Sequence, residues 1–243
     1  MPNEKHYDFR KRLAVVHPPR LMPDAEPVRC GEVLVTDAWT IVPESDDAVL
    51  MHAVCDLQDY FEKSMKVRLE LMVPQAGSKV APAFTGGVIR VGIASEKDVR
   101  TSRIAVTAGE IRITGATARE AAQGCYRLED AMNLRGMPAV SVGQKTFTRM
   151  FSPRMTHSGW ELEKFPDEYL AHVAHAGMDA IVIFIQEPPN ITRNGPIDLD
   201  AAVKHAAEFG IDVYVYPHAY RKAAECHPSD PNAAEFYDNL YGS

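Results

Sequence analysis

Ten residues near the middle of the chain, "FSPRMTHSGW" (151–160), bring Arg154, His157 and Trp160 together directly after a strand-like run and shortly before a helix signal. Arg offers a rigid fork of donors, His a donor and an acceptor, and Trp a broad flat face with one polar handle. Such a set can line a binding site, or it can be an ordinary polar loop between two elements. For Arg154 a structural ion pair stands level with a ligand role. For Trp160, packing against the following helix is the stronger reading.

A second group invites a metal reading. His172 and His175 form an H-x-x-H pair, and His157 and His218 can converge near them. The pair falls on a helix, away from the strand ends, so partly exposed helix histidines are expected rather than ligands. No metal or other cofactor is expected. G-x-G-x-x-G, Walker and G-x-S-x-G elements do not occur, which leaves nucleotide-binding and serine-hydrolase readings without support.

The rest of the chain must position these residues. It has 243 residues, 46% hydrophobic and 24% charged, and a net charge of −7. That is a globular composition, with acidity that argues against nucleic acid or an anionic membrane as partner. Cys30, Cys55, Cys125 and Cys226 are far apart, so a disulfide framework or structural zinc site is not expected, and a reducing cytoplasm is. Pro18 and Pro19 interrupt the only apolar patch of the N-terminus, which lacks a signal peptide's core.

Residues 1–30 are polar and Pro-rich, an extended lead-in. Alternation predicts one or two strands in 31–44, then a helix capped within 45–47, with Leu50, Val54, Leu57, Phe61 and Met65 on one face. Further strands are expected in 67–73 and 87–95, then a hairpin turning at Ala108-Gly109. A capping box of Thr117 and Glu120 starts a helix lined by Ala121, Cys125, Leu128 and Met132 and ended by Gly136. Residues 31–145 thus read as an α+β unit: a mostly antiparallel or mixed sheet with helices on one face.

From about residue 147 the grammar becomes βαβαβα. "TFTRMFSPRM" is strand-like, Pro166 opens a helix ended by Gly177, and "MDAIVIFI" (178–185) is a continuous apolar run like a strand covered on both faces. Asp198 or Asp200 caps another helix, with Leu199, Val203 and Ala206 inward and Gly210 as terminator, and "IDVYVYPHAY" (211–220) is the next strand. A last helix is expected from "SDPNAAEFYDNLY". Three parallel strands alone would leave apolar edges open. Residues 146–243 are also too few for a (β/α)₈ barrel of about 250 residues. Either the barrel is incomplete here or another chain completes it.

The stretch "IAVTAGEIRITGATAREAAQGCYRLEDAMNLRG", with Ile111, Ile113 and Gly115 before Gly124, Tyr126 and Leu128, resembles the small domain preceding the catalytic barrel in several glycoside hydrolases. These include the family 20 β-N-acetylhexosaminidases and the α-glucuronidases. The resemblance runs from residue 31 onward and implies that "TRMFSPRM", "MDAIVIFI" and "GIDVYVYPHAY" are barrel strands one to three. The hexosaminidases carry an aspartate before a sugar-binding arginine on strand one, and Pro-Glu with Gly-His after strand three. Here the residues are "FSPRMTH", and His218 after Pro217, so sugar specificity does not carry over.

Barrel sites lie at the C-terminal strand ends. The resemblance therefore implies carbohydrate contacts from Arg154, His157, Trp160, His218 and Tyr220, with Gln186, Glu187 and Asn190 after strand two. Glycoside hydrolysis needs two carboxyl groups, or one with the substrate's own acetamido group. In the resembling families these lie on strand four or later, so Glu187 is left unassigned and this chain alone is expected to be inactive. Three expectations result. The first is the N-terminal part of a carbohydrate-active glycosidase, the second a non-catalytic carbohydrate-binding or interaction module that forms a homodimer through its half-barrel, and the third and weakest a metal-dependent barrel hydrolase.

Overall fold

The computed structural model describes residues 14–73, 86–157, 165–185, 191–192 and 195–217. Strand β1 (Glu32–Leu34) pairs antiparallel with β7 (Ala139–Ser141) in a small ribbon. Strands β2 (Thr40–Pro43), β3 (Glu70–Leu71), β4 (Val88–Ile93), β5 (Thr101–Val106), β6 (Glu110–Gly115) and β8 (Gly143–Thr148) form a sheet in the order β3-β2-β4-β6-β5-β8. The sheet is mixed, and it is more parallel than the alternation suggested. Strands β3, β2, β4 and β6 run in one direction, and the antiparallel pairs are those that β5 makes with β6 and with β8. Helix α1 (Ala48–Met65) carries the chain away from β2, and a crossover of that length returns it in the same direction.

Local chemistry starts and stops the helices where the sequence signals it. Asp47 accepts hydrogen bonds from the backbone N–H of Val49 (2.9 Å) and Leu50 (3.3 Å) at the head of α1. Thr117 accepts from Glu120 N–H at 3.3 Å at the head of α2 (Ala118–Arg135), and Gly136 ends that helix at φ 69°. The reciprocal half of the expected capping box is missing, because the Glu120 carboxylate pairs instead with Arg149.

Leu50, Val54, Leu57, Phe61 and Met65 of α1 pack with Ala121, Cys125, Leu128 and Met132 of α2 against Ile89, Ile111 and Ile113 of the sheet. The opposite sheet face is polar: Arg112 pairs with Glu44 and Glu110, both at 2.9 Å. Two glycines permit the close approach of α2. A Cβ on Gly124 would stand 2.4 Å from Ile113 Cγ2, and one on Gly115 would stand 2.0 Å from Ala121 N.

A second sheet holds β9 (Met155–His157), β10 (Ala180–Ile185) and β13 (Asp212–Pro217), all parallel, in the order β13-β10-β9. Helix α3 (Asp167–His175) lies between β9 and β10. A short β11 (Ile191–Thr192) and β12 (Gly195–Pro196) hairpin and helix α4 (Leu199–Glu208) precede β13. Asp198 caps α4 through Ala201 N–H at 3.0 Å. Ile181, Ile183 and Ile185 pack with Leu170, Val173, Ala202, Ala206 and Phe209.

That second core also takes in Ala53 of α1 and Ala122 and Tyr126 of α2. Helices α1 and α2 are therefore an inner layer: sheet on one side, α3 and α4 on the other. This explains why α2 is buried almost all round, with Glu120, Gln123 and Glu129 included.

Four expectations need correction. "TRMFSPRM" is not one strand: β8 ends at Thr148 in the first sheet and β9 begins at Met155 in the second. Pro153 has no N–H for a ladder, and Arg149 is drawn into a buried ion pair, so the intervening residues serve as the link. The first sheet consequently runs past residue 145. Val203 faces outward, 40% exposed, while Ala202 and Ala206 carry the inner face of α4. In β10, Val182 and Phe184 are only half-buried. Within 67–73, the paired strand is confined to Glu70–Leu71.

Candidate functional site

Strands β10 and β13 end together at Ile185 and Pro217, and β9 ends three register positions earlier, at His157. His157 closes β9 and pairs in register with Val182, which in turn faces Tyr214; Phe184 faces Tyr216. Partners in a parallel register share a face, and alternate residues do too. His157, Val182, Phe184, Tyr214 and Tyr216 thus lie on the face turned away from α3 and α4, opposite Ile181 and Ile183. Edge-to-face contacts join the rings, 6.0 Å from His157 to Phe184 and 5.6 Å from Phe184 to Tyr216. This strip offers flat apolar surface with an imidazole and phenolic hydroxyls at its margins, a surface on which a ring with hydroxyl edges can stack.

Of the site residues expected from sequence, His157 lies on this strip. Arg154 does not. It precedes β9 and so stands at the opposite end of the strand from His157. Its backbone N–H donates to Asp179 Oδ1, and its guanidinium lies under Gly177 (φ +75°), where a Cβ would come 2.9 Å from Nη2. Trp160, His218 and Tyr220, like Gln186, Glu187 and Asn190, lie outside the described residues. Sequence reasoning missed Phe184 and Tyr216. Alternation within "AIVIFI" and "DVYVYP" could have found them, since each sits one residue away from the helix-covered face.

Around Arg154 the two sheets are joined by buried charge. Arg149 Nε donates to Glu120 Oε1 at 2.7 Å, its Nη1 donates to Asp179 Oδ2, and Ser152 Oγ donates to the same oxygen at 3.3 Å. Three elements meet there: the end of β8, the head of α2 and the entry to β10.

The H-x-x-H pair also resolves. His175 is partly exposed, at 21%, but it is not a solvated helix residue. Its ring lies 4.1 Å from the Tyr126 ring and between the carboxylates of Asp56 and Glu129. Burial pulls the His175 pKa down, but those two carboxylates outweigh it and push it up to about 11. Burial raises the Glu129 carboxyl. Asp56, although also penalised by burial, is held well below the usual carboxylate range by its contacts with His17 and His175.

No family model matches the sequence, and no curated protein matches it. Solved structures do match. The chitobiase of Flavobacterium johnsoniae superposes with a TM-score of 0.59 at 14% identity, over 92% of this chain and 42% of that one. The fold is glycoside hydrolase-like. The N-acetyl-β-hexosaminidase of Streptomyces plicatus gives 0.58 at 14% identity over 88% and 51% of the two chains. The family 20 β-N-acetylhexosaminidase of Streptomyces coelicolor A3(2) gives 0.54 at 16% identity over 82% and 45%. The chain spans about half the length of these glycoside hydrolases.

Proposed function

We propose that this chain is the N-terminal part of a glycoside hydrolase-like protein that hydrolyses O-glycosidic bonds when complete. In this reading β9, β10 and β13 are the first three strands of a (β/α)₈ barrel, preceded by an α+β accessory domain that covers residues 31–148. The observation that carries the proposal is the aromatic strip of His157, Phe184 and Tyr216 at the C-terminal ends of three parallel strands. Barrel enzymes place their chemistry at that end. The likeness in fold to hexosaminidases, over about half their length, supports the same reading.

The strip supplies one wall of a carbohydrate site, and Trp160, His218 and Tyr220 remain further candidates from the sequence. Arg154 is left out of that wall by its place at the entry of β9. The acid and base carboxyls would come from later strands. The test compares the 243-residue chain with the product of the reading frame extended beyond Ser243, on a panel of aryl glycosides that includes N-acetylglucosaminides. No turnover by the shorter chain and turnover by the longer are expected. Phe184→Ala should weaken carbohydrate binding by the shorter chain in NMR titrations. Turnover by the 243 residues overturns the proposal. So does an extended product inert on the whole panel, or a stable dimer that binds sugar unaided, which is the mark of a binding module.

A further inference from the structure

At the end of α3 remote from the aromatic strip, four side chains from four parts of the chain converge. His17 comes from the N-terminal segment, Asp56 from α1, Glu129 from α2 and His175 from the last turn of α3. His17 Nε2 lies 2.9 Å from Asp56 Oδ1. His175 Nε2 lies 3.0 Å from Asp56 Oδ2 and 3.1 Å from Glu129 Oε2. Ligand atoms of His17, Asp56 and His175 all fall within 4.8 Å of one another.

The hydrogens do not suffice for these contacts. His175 Nδ1 stands 2.7 Å from the Ala171 carbonyl, so that nitrogen carries a proton. Its Nε2 can offer at most one more proton, yet it faces two carboxylates. Glu129 Oε2 is aligned to receive it; Asp56 Oδ2 has no hydrogen-bond partner among the described residues. Glu129 is 3% exposed, and its second oxygen, Oε1, is buried without a partner as well. Buried carboxylate oxygens with nothing to accept are costly.

We infer that His17, Asp56, Glu129 and His175 bind one divalent transition-metal ion of the zinc class, which fastens the N-terminal segment and α3 to α1 and α2. Two imidazole nitrogens and two carboxylate oxygens are a ligand set such an ion accepts. With neutral imidazoles the two carboxylate charges cancel the ion's charge, leaving the buried cluster neutral. A tetrahedral ion with bonds of about 2.0–2.1 Å separates its ligands by about 3.3 Å. The His17–Asp56, His175–Asp56 and His175–Glu129 contacts need to open only by a few tenths of an ångström, whereas Glu129, which stands outside the set within 4.8 Å, must swing in toward the other ligands. The Nδ1–H of His175 on a backbone carbonyl is the orienting contact that metal-bound imidazoles usually make. Access exists too: a cleft of about 350 Å³ is lined by His17, Asp56, Asp167 and Glu168, and by Asp59 in an ion pair with Lys63, so its carboxylates outnumber its one lysine.

The test uses the full 243-residue chain, purified without a histidine tag and stripped with chelator. Zinc titration by calorimetry should give one equivalent bound with a dissociation constant below about 1 µM. Cobalt should give the intense visible absorption of a tetrahedral ion, and zinc should raise the Tm. His17→Gln changes a residue outside every helix and strand, and Glu129→Gln keeps the side-chain shape. Each should weaken zinc binding at least tenfold, roughly the lower end for altering a metal site. Folded wild-type protein that takes up neither metal overturns the inference and leaves a proton-bridged ion pair. So does equal affinity in wild type and both variants, which would place the ion elsewhere.

Discussion

Arg149 shows how much of this molecule hangs on single buried charges. Its guanidinium is 6% exposed and holds two carboxylates, Glu120 at 1% and Asp179 at 3%. Such a cluster adds little stability compared with a hydrophobic replacement of all its members. Losing one member is different, because the charges left behind remain buried and uncompensated. Arg149→Met should therefore cost about 3–5 kcal/mol in urea unfolding. The triple variant Arg149→Met, Glu120→Gln, Asp179→Asn should recover a good part of that loss. If the single variant costs less than about 1 kcal/mol, water reaches the cluster and the pairs act like surface ones. The residue scale is also where sequence reading is least informed: nothing in "FTRMFSP" distinguishes a buried Arg149 from an exposed one, and its partners lie 29 and 30 positions away.

At the scale of elements the sequence was far more legible, because helices and strands are local. The stripe Leu50, Val54, Leu57, Phe61 and Met65 is fully inside, and Asp47, Thr117, Gly136 and Gly210 stand at the helix ends where their chemistry put them. What failed was the split of one strand-like run into β8 and β9, which tertiary pairing decides and periodicity cannot. The second apolar side of α2 was also hidden, since Ala122, Tyr126 and Glu129 break a simple one-faced pattern. Gly124 belongs to the same story. On propensity alone Gly124→Ala should stabilise α2 by about 1 kcal/mol. But the added methyl would meet Ile113 Cγ2 at 2.4 Å, and overpacking costs about 1–3 kcal/mol. We expect net destabilisation in thermal melts. A double-mutant cycle with Ile113→Ala, which removes the Cγ2 methyl, would assign the cost to that contact if the two changes couple favourably. A more stable Gly124→Ala protein would show that α2 can lift from the sheet without penalty.

At the scale of the molecule, the described residues form two hydrophobic cores with one helical layer between them, and that layer decides how they should unfold. Ala53, Ala122 and Tyr126 belong to the second core, yet their helices complete the first. Gln123 Nε2 donates to the Ala174 carbonyl across the seam at 2.9 Å, and Arg149 ties β8 to the entry of β10. Separating the cores would uncover Tyr126, Leu170 and Val173 together with unpaired buried charge. Regions that open independently show exchange free energies of their own, while coupled ones share a single value. Native-state hydrogen exchange should therefore give the central amides of β6 and β10 the same opening free energy, falling in parallel as denaturant is added. Tyr126→Ala removes about 3–5 kcal/mol of packing from the shared layer, taking it as a large aromatic truncation. It should lower both sets of amides together. Loss of protection in β10 alone would mean that the three-stranded sheet is docked on the first core without sharing its stability.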